Sequence, residues 1–131
     1  MSASEYYELL FELSNLYNSI FEFWITATFA FLIAIHVLGN TLSNSLRHLL
    51  TAMYVVTSIV LTYRFVVSLI GSARIIDEMA LNHVASPPWM GSPGEAYVWS
   101  TGMTVLMIIG SIASALYAYS SHAKTQNRGG E

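Results

Sequence analysis

The chain has 131 residues, of which 54% are hydrophobic and only 10% charged, well under the roughly 25% charged residues of an average soluble domain, so most of its surface must face something other than water. A net charge of −3 is too small to imply a nucleic-acid partner, and the absence of cysteine removes disulfides, thiolate metal sites and cysteine nucleophiles. The sequence contains no phosphate-binding glycine loop, Gly-x-Ser-x-Gly element or His-Glu-x-x-His motif, which excludes the familiar soluble-enzyme constellations and predicts a non-enzyme without a cofactor.

Residues 4–19 read as an amphipathic helix. Leu9, Leu13, Leu16, Ile20 and Phe23 recur at three- and four-residue steps, while Glu5, Glu8, Glu12, Asn15, Ser19 and Glu22 form a second stripe at the same spacing. Its glutamates make it a poor spanning helix, and an acidic start is unlike the basic start of a cleavable secretory signal. The helix is expected at or outside a membrane surface, with Tyr6, Tyr7, Phe11 and Tyr17 toward lipid headgroups or a partner. It runs on into a first span over residues 20–38, which ends at Gly39-Asn40 and the polar stretch that follows.

A second span covers residues 46–71, with Arg64 as its internal charge. The helical pattern continues to about residue 84, where Arg74, Asp77, Glu78 and Asn82 alternate with Ile75, Ile76, Met79 and Ala80. A helix of that length measures about 60 Å, twice the hydrocarbon thickness of a bilayer, so its end should project into water.

Residues 85–94 are a proline- and glycine-rich loop. Ser92 and Glu95 have capping-box spacing with Pro93 between them, which starts a third span over 95–119. Gly110, Ser114 and Ala118 fall four residues apart and suit close helix packing. Tyr97 and Trp99 at one end, and Tyr117 and Tyr119 at the other, mark interfacial belts. The polar tail, 120–131, is expected to fray.

These elements predict one all-α integral membrane domain over residues 1–131, with three transmembrane helices, an amphipathic N-terminal helix and a long extramembrane extension of the second helix. Arg47 and His48 follow the first span and Lys124 and Arg128 lie in the tail, whereas no Lys or Arg precedes the first span. The positive-inside rule then places the N-terminus outside and the C-terminus in the cytoplasm. A bacterial inner membrane is the expected location.

Two charge intervals suggest how the first two spans meet. Glu12 and Glu22 lie ten residues apart, as do Arg64 and Arg74. In an antiparallel hairpin turning near residues 41–45, residues whose numbers sum to about 86 share a height. The expected structural pairs are Glu22 with Arg64 and Glu12 with Arg74, which would neutralise charges that are costly in hydrocarbon.

Other arrangements of the same residues carry other functions. In a ring of subunits, Glu5, Glu8, Glu12 and Glu22 would line an acidic vestibule above a polar pore path through Thr26, Thr57, Ser68 and Ser100. His36 and His48 fall near one level, where two imidazoles can hold a haem or a metal ion. The stretch Ser45-Leu46-Arg47-His48-Leu49 resembles the Arg-His-Leu element of succinate dehydrogenase membrane-anchor subunits, which also have three spans; over these five residues the resemblance implies a haem- or quinone-bearing anchor. Three spans with an outside N-terminus are also similar to phage lysis pores of the holin type. The function expected from the sequence is a structural or accessory subunit of a homo-oligomer or of a larger membrane complex, with the lipid bilayer and other membrane subunits as partners. A homo-oligomeric ion channel is the main alternative.

Overall fold

The computed structural model describes residues 2–39, 41–88 and 93–128, with side chains described for these except 93, 94 and 121–128. Three long helices make up the fold: α1 (Ala3–Leu38), α2 (Asn44–Leu81) and α3 (Pro93–Arg128). Each is long and apolar enough to cross a membrane.

A capping box starts α1. The Ser2 hydroxyl accepts from the Glu5 amide at 3.4 Å, and the Glu5 carboxylate accepts from the Ser2 amide at 2.6 Å. With no proline or glycine before Gly39, the amphipathic segment and the first apolar segment form one unbroken helix. Hydrogen bonding from the Ser2 backbone, then from its side chain, holds the Glu5 carboxyl below its ordinary value of 4.5. A depressed folded-state pKa means that the cap contributes above the ordinary value and is lost as pH falls through the folded one. The protection of the Glu5 and Tyr6 amides, taken against the intrinsic exchange rate at each pH, should therefore fall on acidification, and Glu5→Gln should abolish that fall. Protection that stays constant across that pH range in the intact chain would refute this role.

The turn between α1 and α2 is tied by its own side chains. Ser43 caps α2 by accepting from the Leu46 amide. Arg47, which counts in the sequence as an ordinary turn charge, is buried beneath the turn, where its Nη2 donates to the Gly39 carbonyl. A cation at this point complements the C-terminal dipole of α1. The Arg47 Nε has no partner among the described residues.

At its far end α2 closes in a Schellman motif. The His83 amide donates to the Ala80 carbonyl at 3.2 Å and the Val84 amide to the Met79 carbonyl at 2.9 Å, with His83 at φ 55° in the left-handed region. The chain then reaches α3, whose first residue is Pro93, as the sequence predicts; the capping residue Ser92 lies outside the described residues. Helix α3 also continues past Tyr119 to Arg128, so the tail is helical where fraying is expected. Ala123, Lys124 and Gln126 are good helix formers, and no glycine follows until Gly129.

Helices α1 and α2 form an antiparallel hairpin sealed by three buried clusters. Tyr6 and Leu10 pack on Met79 at the amino-terminal end; Ile20, Trp24 and Phe65 meet Met107 in the middle; Phe31, Ile35 and Tyr54 meet Ala118 near the turn. Helix α3 thus joins the middle and turn-end clusters, while the described members of the amino-terminal cluster come from the hairpin and Val84. The burial of Tyr6 departs from the expected outward aromatic face. Its hydroxyl accepts from Asn82 at 3.1 Å, and the Tyr7 hydroxyl donates to the Ala85 carbonyl at 2.9 Å. Phe11 remains exposed. Two hydroxyls that headgroups or a partner were expected to meet are used to hold the arm against α2.

Candidate functional site

Packing follows the register expected of the hairpin. Phe21 lies on Phe65 with centroids 6.3 Å apart, and Phe31 stacks on Tyr54 at 4.2 Å. The Thr28 hydroxyl donates to the Trp24 carbonyl at 2.8 Å, which leaves it to accept from the Tyr54 hydroxyl at 3.0 Å. The charges lie off this seam. Glu12, Glu22, Arg64 and Arg74 are all exposed, and among the described residues no ion pair joins Glu22 to Arg64 or Glu12 to Arg74. Glu22 stands two residues from both Ile20 and Trp24, about 200° around the helix from each, so it points away from α2 when they point toward it. Glu5, Glu8 and Glu12 are exposed as well, and with Glu22 they leave an acidic stripe along α1.

The two histidines turn to different partners. His36 Nδ1 lies 3.0 Å from the Tyr117 hydroxyl on α3, whereas His48 Nδ1 donates to the Asn44 carbonyl of its own helix at 2.7 Å. No described contact joins the two rings, and the described residues contain no cluster of three or more His, Asp or Glu placed to hold a metal ion.

Helix α3 seats on α1 through its small residues. A Cβ at Gly110 would lie 2.8 Å from Trp24 Cη2 and 2.9 Å from its Cζ2, so the indole ring rests where only glycine leaves room. Ser114 and Ala118 are buried one and two turns further along. The Trp24 Nε1 donates to the Ser111 hydroxyl at 3.0 Å, which donates in turn to the Met107 carbonyl at 2.7 Å, so a buried indole N–H and the hydroxyl it meets are both satisfied. Neither Trp24 nor Ser111 stands out in the sequence; the signal that could have found them is a tryptophan at the height of a small-residue helix face.

Where α3 leans on α1 in the middle and near the turn, cavities open among the described residues. One, about 760 Å³, lies between α2 and α3 and is lined chiefly by apolar atoms, with Thr51, Ser58, Thr62, Ser111 and Ala115 along its walls. The other, about 910 Å³, opens among all three helices toward the amino-terminal end. Its depth is apolar, with Phe65, Leu69 and Met103, and its mouth is polar, with Asn18, Arg74, Asp77 and Glu95. A volume of this size lies in the range of small-molecule pockets. The second cavity combines an apolar depth with charged side chains, Arg74 among them, and is the candidate site. No protein-family model, curated protein or solved structure matches the chain.

Proposed function

We propose that the chain is an integral membrane protein with three spans, the N-terminus outside and the C-terminus in the cytoplasm, acting as a structural or accessory component of a membrane assembly rather than as an enzyme. The observation that carries this reading is the groove between α2 and α3. Only 28%, 22% and 17% of the most apolar windows of α1, α2 and α3 are buried within the chain. Exposed apolar surface alone suits lipid, but a concave apolar groove in which Ser58, Ser111 and Ala115 stand among isoleucine, valine and leucine suits the close approach of another helix, since helix association in a bilayer depends on tight packing. A second copy of this chain is the occupant on which the reading rests.

The alternative is an ion-conducting ring, and the exposed acidic stripe of α1 favours it. The middle of a single chain is closed by Phe65 and Met107, both fully buried, so any conducting path would have to run between subunits.

The chain lacks cysteine, so single cysteines at Ile59 and Ile112, which line the groove, can be cross-linked without interference. Cross-linked dimers or larger rings in membranes, together with a matching particle mass in nanodiscs, are expected. A monomer that no cross-linker joins to a second copy would overturn the assembly, and single-channel recordings on a closed ring would decide for or against conduction.

A further inference from the structure

We propose that the three-helix cavity at the amino-terminal end binds a zwitterionic phospholipid whose headgroup carries a primary ammonium, as in phosphatidylethanolamine. The inference rests on the membrane placement proposed above and adds a ligand to it. Arg74 lies four residues beyond Ile70, at the outer end of the apolar part of α2, and so at headgroup level. Phe65, Leu69 and Met103 lie deeper, at acyl-chain level. A cavity with a charged mouth and an apolar depth in that orientation is matched to an amphiphile rather than to a free ion.

The charges at the mouth select the headgroup. Arg74 and Asp77 are one turn apart on α2 and therefore neighbours on its surface. Neither has a hydrogen bond or ion pair among the described residues, and both line the cavity. Glu95 faces them from α3, and the amide of Asn18 borders the same mouth from α1. A phosphate alone would gain from Arg74 but be opposed by Asp77; a cation alone would meet the reverse. A headgroup with a phosphate on Arg74 and an ammonium on Asp77 satisfies both signs through charge-assisted hydrogen bonds. A primary ammonium donates such bonds, whereas the quaternary ammonium of a choline headgroup has no N–H to donate.

The test is retention of lipid by the purified full chain, followed by native mass spectrometry after stepwise delipidation from vesicles containing equal parts of ethanolamine, choline and glycerol phospholipids. The wild type is expected to keep the ethanolamine lipid about tenfold better than the other two, the ratio of one charge-assisted hydrogen bond. Arg74→Gln should lose most of that retention. Asp77→Asn, which preserves the shape of the side chain and removes its charge, should move the preference toward the anionic glycerol lipid, a change of selectivity that loss of folding would not produce. Equal retention of the three lipids, unchanged selectivity in Asp77→Asn, or a cavity filled by a second copy with no lipid retained would each overturn the proposal. A chain that stays soluble without detergent would instead overturn the membrane placement itself.

Discussion

Replacing Gly110 with leucine is expected to release α3 from the hairpin, because the site has no room for a side chain. Even the first carbon would lie 2.8 Å from the Trp24 ring. That ring cannot move aside cheaply: it is 4% exposed, lies 5.8 Å from Phe21 in a stacked arrangement and is held by Ser111. Overpacking of a filled core costs about 1–3 kcal/mol, and a branched side chain belongs at the upper end. Leaving glycine returns at most about 1 kcal/mol of helix propensity, so the clash decides the sign. Gly102→Ala is the matched contrast, since nothing lies within 4 Å of a Cβ there and the propensity gain of up to about 1 kcal/mol stands unopposed. A cysteine at the fully buried Met107 gives the readout: it should be protected from labelling in the parent and labelled rapidly once Gly110→Leu is added. Equal protection and equal unfolding midpoints would show that the indole yields.

Phe65→Ala should be the most damaging truncation inside the hairpin. Phe65 is fully buried and sits edge-on to Tyr17 at 6.0 Å, against Phe21, and beside Ile20, Trp24 and Met107. In a water-soluble core such a change costs about 3–5 kcal/mol. In a bilayer the unfolded helices stay in hydrocarbon, so part of the transfer free energy disappears while the void and the lost ring contacts remain. A loss of about 2 kcal/mol or more is the expected result in a detergent or bilayer unfolding titration. Ile59→Ala, at a residue 63% exposed toward the groove side of α2, should cost far less in the isolated chain. Similar losses at the two positions would mean that the cluster around Phe65 is not the packing centre.

Heights along the hairpin were legible in the sequence, and directions around each helix were not. Phe21 meets Phe65, Phe31 meets Tyr54 and Gly39 meets Arg47, as a turn near residues 41–45 requires. The charge intervals share those heights, but Glu12 and Glu22 each stand two residues, about 200° around the helix, from the buried Leu10 and Ile20, so both point off the seam. The facing stripe is instead apolar and aromatic, with Leu10, Ile20, Trp24, Phe31 and Ile35 buried along α1. Ile20 is buried, whereas Leu16 and Phe23 of the same sequence pattern are exposed, because a hairpin partner covers a narrower arc than the apolar pattern occupies. The boundary of α3 at Pro93 and its small-residue positions could be read locally. The cavity at Arg74 could not, because it exists only where α3 parts from a hairpin that remains closed.

The hydrogen bond from Trp24 to Ser111 spans 87 residues of sequence, while the turn that joins α1 to α2 is only a few residues long. During synthesis the hairpin can therefore close well before α3 has left the ribosome. Until α3 is in place the indole N–H lacks the Ser111 oxygen that satisfies it in the folded chain. Helix α3 supplies that oxygen, so the contact that seats it on the hairpin can form only after the turn between α1 and α2 has been made.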